Sequence, residues 1–401
     1  MTGSDQAGTA TTRSLPMLDA VLRRRVALVA TVALVAHSGS LLSLGDRQTD
    51  WSYFVWGAQA LVGDHGDFAL AGSWFSGDAP GGLSLYANYP FLQIGPPSLV
   101  LATVLRSAPA EGLFLAGSLV LALGLLTLWS LDREYDDGSR SRRTTLLLGG
   151  AAATVTWVSL ARFVHLDDAL TLAAAFGACL ALRRGRWLTV GLLTGFAAAS
   201  KPWGVVAVAL VLAAPTWRQR AGAAVAATAV ALLFWGPFLV ADAGTFALGD
   251  VRLRVSPDSV PALLGVESLA SNGPLRLVQL TGGLVVAASL VLRGRWELAL
   301  AAAFAWRLLL DPSPYAYYLA GLATAALLVD LVALRRPLPL VSLTVVGVWY
   351  AVSAVDDARL QGLLNLLSFG GVLLLCTALA LRRRPLRPPL PQCTLSAAAP
   401  S

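Results

Sequence analysis

The stretch 112-GLFLAGSLVLALGLLTLWSL-131 carries no charge. At about 1.5 Å per residue, an α-helix of this length covers the roughly 30 Å of hydrocarbon in a bilayer. A membrane strand would instead alternate apolar and polar residues, and that period is missing. Apolar runs recur on both sides of this stretch, near 25–44, 144–161, 168–182, 187–200, 203–214, 221–239, 276–292, 296–310, 315–332, 338–353 and 361–381. Composition agrees: 56% of the 401 residues are hydrophobic, only 13% are charged, and the mean hydropathy is +0.67. That leaves too little polar surface for a soluble globule. The expected fold class is therefore all-α, a polytopic membrane protein with about twelve transmembrane helices and outer juxtamembrane helices.

Charge orients the spans. Arginine clusters lie at 136–143 (DDGSRSRR), 183–186 (RRGR), 217–220 (WRQR), 293–295 (RGR) and 382–387 (RRRPLR). With the N-terminus inside, all of them face the cytoplasm, where arginine accumulates beside helix ends, while the acids gather outside. The formal charge of +7 then reflects topology, and nucleic acid is not an expected partner. The first run follows Arg23, Arg24 and Arg25, and its length favours a retained anchor over a cleaved signal peptide. The alternation also requires residues 90–106 to dip into the membrane or lie flat. The pair Pro96-Pro97 suits such a segment, because proline interrupts continuous helix.

The expected organisation is a cytoplasmic segment 1–24, a membrane domain 25–381 that includes a long outer loop 45–111, and a Pro-rich disordered cytoplasmic tail 382–401. Within the outer loop, Trp51, Phe54, Val55, Ala58, Leu61 and Val62 follow helical spacing and predict an amphipathic surface helix. The Gly-rich stretch 63–86 could order around a ligand. A second outer segment, 240–275, reads as a solvated cap. Cys179, Cys376 and Cys393 form neither a disulfide framework nor a zinc pattern.

A charge at mid-bilayer costs about 2.5–3.5 kcal/mol on insertion scales, so charges near the outer helix ends are weighed first. Five groups fall at that level: Asp50; the cluster Arg162, His165, Asp167 and Asp168; Lys201; Arg307 with Asp311; and Tyr315, Tyr317 and Tyr318. Asp50 begins the surface helix, where it is either an N-cap or a general base for an acceptor hydroxyl. Asp167 and Asp168 precede a span and are either N-cap residues, with Arg162 and His165 as partners, or substrate ligands. Adjacent carboxylates on a helix point about 100° apart, so one of the two is expected to face a cavity. Lys201 is the only lysine among thirty basic residues and is followed by Pro202 and Trp203. It either snorkels to the interface or offers a compact ammonium to an anion at a helix break. Arg307 and Asp311 are either an i, i+4 pair or part of the site. The three tyrosines are either interfacial belt residues or a platform for a sugar.

Five loose patterns stand in order: TDWSYFVWGAQALVG (49–63), NYPFLQIGPPSLVL (88–101), ARFVHLDDAL (161–170), SKPWG (200–204) and DPSPYAYYLAG (311–321). Together they resemble membrane glycosyltransferases of the GT-C fold, and among these the polyprenyl-phosphate-mannose-dependent α-mannosyltransferases, glycosyltransferase family 87. The resemblance covers about residues 25–335. It implies a multi-pass cell-membrane enzyme with its active site facing outside. Such an enzyme moves a sugar, mannose by this resemblance, from a polyprenyl-phosphate co-substrate to a glycolipid or glycan acceptor with inversion. Asp50 maps onto that family's proposed catalytic base, and Lys201-Pro202 onto its Lys-Pro pattern. Lys201, Arg307 and Arg162 are the implied phosphate cations, with His165, Asp167, Asp168, Trp203, Tyr315, Tyr317 and Tyr318 lining the substrate site. Relatives carry a histidine where this chain has Tyr315–Tyr318. No cofactor and no catalytic metal are expected, since the chain has no Asp-x-Asp triplet. A transporter or flippase of a lipid-linked precursor is the competing class.

Overall fold

A computed structural model describes residues 16–42, 50–63, 81–106, 109–247, 252–271 and 273–382. The Gly-rich stretch 64–80, the tail 383–401 with Cys393, and residues 1–15 lie outside the described residues. In chain order the helices are α1 (Pro16–Arg23), α2 (Arg25–Leu42), α3 (Trp51–Val62), α4 (Leu85–Asn88), α5 (Pro96–Leu105), α6 (Pro109–Tyr135), α7 (Arg140–Phe163), α8 (Leu166–Arg183) and α9 (Trp187–Ser200). A 3-10 segment (Pro202–Ala213) follows, then α10 (Trp217–Ala241), α11 (Val260–Leu263), α12 (Gly273–Leu292), α13 (Trp296–Leu309), α14 (Leu319–Val329), α15 (Leu340–Ser353) and α16 (Ala358–Leu381). Among the described residues the only strands are Leu253–Arg254 and Ser268–Leu269, which pair antiparallel. The fold is all-α.

Among the described residues six helices are long and apolar enough to cross a membrane: Gly112–Tyr135, Arg140–Phe163, Trp217–Ala241, Gly273–Leu292, Ala316–Leu334 and Ala358–Leu381. The remaining apolar segments fall short of that length. The fourteen residues of α9 rise only about 21 Å. Shortness goes with burial, because α9 packs against α8, α10 and the 3-10 segment. Gly191 and Gly195 let it approach α10 closely: a Cβ at either position would come within 2.2 and 2.3 Å of the Ala223 and Ala227 carbonyl oxygens. Their four-residue spacing is that of a small-residue helix contact in lipid.

The 90–106 segment resolves into an extended approach followed by α5, a ten-residue helix. Pro96 and Pro97 occupy its first turn, where a missing N–H goes unused and a fixed φ helps. The prolines therefore start a helix and do not interrupt one. Gly95, just before them, donates its N–H to the Ser200 carbonyl at 3.0 Å. A Cβ there would lie 2.1 Å from the Ala199 carbonyl oxygen and 2.3 Å from that of Ser200. The start of α5 is thus docked onto the break between α9 and the 3-10 segment.

The two ends of the bundle differ. One end holds arginines in ion pairs and carbonyl contacts: Arg25 with Asp132 (2.7 Å) and Asp136 (2.8 Å), Arg183 and Arg184 with Glu134 (2.8 and 2.6 Å), Arg142 on the Leu331 carbonyl and Arg295 on that of Leu379. The opposite end carries the candidate site.

Candidate functional site

The site is built at the start of α3 and where helices meet at the turns α7–α8, α9–3-10 and α13–α14. The α7–α8 turn is tight. Val164 takes the left-handed conformation (φ 58°, ψ 43°), a strained choice for a β-branched residue. The reversal places His165 at the N-cap of α8 without a side-chain cap bond, which leaves its ring for the cavity.

Asp50 likewise precedes α3 without capping it through its side chain. Its carboxylate, 44% exposed, instead lies 2.6 Å from His165 Nε2. His165 Nδ1 approaches Asp168 Oδ2 at 3.2 Å and Asp167 Oδ1 at 3.8 Å. The ring N–H directions miss these oxygens, so the contacts are ion pairs and not aligned hydrogen bonds. Burial disfavours the imidazolium, yet contacts with Asp167, Asp168 and Asp50 outweigh it and push the His165 pKa up to about 10. His165 is therefore a cation at neutral pH.

Lys201 sits in an extended residue (φ −155°, ψ 139°) between α9 and the 3-10 segment. Its Nζ contacts Asp167 at 2.8 Å and Asp168 at 2.7 Å. Burial works against its charge, but the two carboxylates prevail and raise its pKa. Trp203 Nε1 donates to the second oxygen of the Asp168 pair at 2.9 Å. His165, Asp167 and Asp168 offer ligand atoms within 4.8 Å of one another, the spacing of a metal triad. Here the Lys201 ammonium already supplies positive charge to both carboxylates. Asp167 lines the main cavity while Asp168 lies behind it, in accord with their angular separation along the helix.

Three tyrosines close one wall. Tyr317 stacks on the His165 ring (centroids 3.6 Å apart, 26°) and Tyr315 stacks on Tyr317 (5.2 Å, 10°). Tyr315 is 51% exposed, so an aromatic face fronts the opening. Tyr53 and Phe91, bridged by the Tyr53 hydroxyl donating to the Phe91 carbonyl at 2.6 Å, form part of the facing wall. The cavity enclosed is about 350 Å³, within the range of small-molecule sites. It adjoins a narrower slot of about 80 Å³, walled by Val206, Leu280, Ala303 and Phe304.

The structure brings together Asp50, His165, Asp167, Lys201, Tyr315, Tyr317 and Tyr318 around the cavity. Trp203 and Arg307 line the slot. Arg162 borders neither space; its guanidinium stands 5.9 Å above the Phe163 ring. Arg307 is stacked over Tyr318 (4.1 Å) and Trp203 (4.9 Å) and lies 3.8 Å from Asp311. Sequence reasoning missed Arg276 and Gln93, which border both spaces. Arg276 stands four residues into an apolar helix, a signal comparable to that of Arg307, whereas Gln93 had none. A search of family models, curated proteins and solved structures finds no match to this chain.

Proposed function

We propose that the protein is a membrane glycosyltransferase. It moves a sugar, mannose by sequence resemblance, from a polyprenyl-phosphate carrier to a glycolipid or glycan acceptor at the outer face of the cell membrane. In this reading the arginine-rich end faces the cytoplasm. The chain crosses twelve times, through the six long helices together with α2, α8, α9, the 3-10 segment, α13 and α15.

The observation that carries the reading is Asp50. It is a half-exposed carboxylate excused from capping, lining an open cavity beside tyrosines, with a buried imidazolium behind it. Asp50 takes the proton of the acceptor hydroxyl as the oxygen attacks the anomeric carbon from the face opposite the phosphate. The bond to the carrier phosphate breaks and the carrier leaves as an anion, so a nearby cation can stand in for the general acid that a glycosidase needs. His165 and Lys201 are committed to Asp50, Asp167 and Asp168. They fix the wall that holds the base, while the sugar stacks against the tyrosines. No resident cofactor takes part in these steps.

The test is transfer of labelled sugar from a polyprenyl-phosphate donor in membranes carrying Asp50→Asn. We expect a loss of at least about 100-fold, the usual contribution of a positioned base. Full activity in that variant would sink the proposal. Lipid profiling of a deletion strain separates transfer from carriage: transfer predicts an acceptor lacking its terminal sugar, and a flippase predicts accumulation of the intact precursor.

A further inference from the structure

The charges around the cavity are unevenly placed. Three carboxylates, Asp50, Asp167 and Asp168, surround two cations, His165 and Lys201. Across the cavity the balance reverses. Arg276 Nη1 stands 3.7 Å and Arg307 Nη2 3.8 Å from the same atom, Asp311 Oδ2. Both distances are too long for hydrogen bonds. That oxygen is buried and accepts none, while the other carboxylate oxygen takes the Ser313 N–H at 3.1 Å. Among the described residues the Arg276 Nε is likewise buried without a hydrogen-bond partner, while its Nη1 donates to Gln279 Oε1 at 2.8 Å. Two guanidinium groups thus share one carboxylate that neither bonds well.

Their position is the second observation. Gln93, Lys201, Arg276 and Tyr318 belong to both the polar cavity and the apolar slot, so Arg276 stands at the seam between them, with Arg307 on the slot side. A ligand filling both spaces would place its anionic joint at that seam, with an apolar chain on one side and polar groups on the other.

We propose that Arg276 and Arg307 form an anion clamp for the phosphate of a prenyl phosphate ester, with Asp311 as the counter-ion that the phosphate displaces. The first isoprene unit of the ester enters the slot between Val206, Leu280, Ala303 and Phe304. This rests on the reading of the cavity as a donor site, and it assigns the phosphate to arginines and not to Lys201. A planar guanidinium can meet a phosphate through two parallel N–H bonds, so an Arg to Lys exchange is not conservative here. Removing the competing carboxylate should help the ligand.

The experiment is binding of farnesyl phosphate, farnesol and inorganic phosphate to the full-length protein in detergent, for the wild type, Arg276→Ala, Arg276→Gln, Arg276→Lys and Asp311→Asn. The expected pattern has farnesyl phosphate bound more tightly than either farnesol or inorganic phosphate. Arg276→Ala and Arg276→Gln weaken it by about tenfold or more, farnesol binding is unmoved, and Arg276→Lys does not restore the wild-type affinity. Asp311→Asn tightens farnesyl phosphate binding, the opposite of what loss of a structural ion pair would do. Four results would each overturn the clamp: unchanged farnesyl phosphate affinity in both the Ala and Gln variants, equal losses for farnesol, inorganic phosphate binding as tightly as the ester, or weaker binding in Asp311→Asn. The outcome is separable from catalysis. Active Asp50→Asn with the expected binding pattern removes the transferase reading alone. Inactive Asp50→Asn with binding indifferent to Arg276 removes the clamp alone.

Discussion

Deleting the Lys201 ammonium would leave Asp167 and Asp168, both 2% exposed, facing each other without their common cation. Breaking a buried ion pair from one side costs about 3–5 kcal/mol. Lys201→Ala is therefore expected to lower the thermal midpoint in detergent sharply, and adding Asp168→Asn should recover part of the loss. His165 gives a pH signature. Its folded pKa of about 10 lies above the ordinary 6.5, so its contribution is fully present below pH about 6.5 and is lost as pH rises through about 10. Melting curves of wild type against His165→Gln should show a gap that is widest below pH 6.5 and closes as pH approaches 10; a constant gap would refute the ion-paired imidazolium. The lone lysine was noticeable in the sequence, and the topology set it level with Asp167 and Asp168, but that it pairs with both was not legible. Asp168 is thirty-three positions away, and only the fold puts the two in contact.

At the scale of elements, the junction of α5 with the α9 break is an exacting contact. Gly95→Ala drives a methyl group into two backbone carbonyls, and neither can move without shifting α5 or the residue before Lys201. We expect a loss of transfer activity and of thermal stability, against little change for Gly370→Ala, whose added Cβ meets nothing within 4 Å. A helix at 51–62 could be read from its apolar period, but not its setting: Trp56, Gly57 and Ala60, off the expected apolar face, are buried and Val62, on it, is exposed, so α3 is packed on both sides and not laid on the surface. The interruption at Lys201-Pro202 could be read from the proline. The role of Pro96-Pro97 could not. A proline pair signals either a break or a helix start, and what decides is whether the preceding N–H groups find partners, which here depends on the distant Ser200. The reach of α9 was also hidden, since an apolar run of fourteen residues looks the same whether it faces lipid or other helices.

For the whole molecule, the separation of an arginine-rich end from the cavity end was legible, because arginine placement in short loops is a local property that survives without knowledge of packing. It predicts that a membrane-impermeant thiol reagent applied to intact cells labels Leu264→Cys, exposed at the cavity end, and spares Arg186→Cys, exposed at the other; the reverse pattern would invert the proposed orientation. How segments of unequal length fit one bilayer was not legible. The 3-10 segment has part of the answer. Twelve residues wound at about 2.0 Å each reach roughly 24 Å, whereas the same residues as α-helix would reach about 18 Å. The looser rise therefore adds about 6 Å of reach for less than one turn of winding, so the Lys201 break and the start of α10 stand farther apart than twelve α-helical residues would hold them.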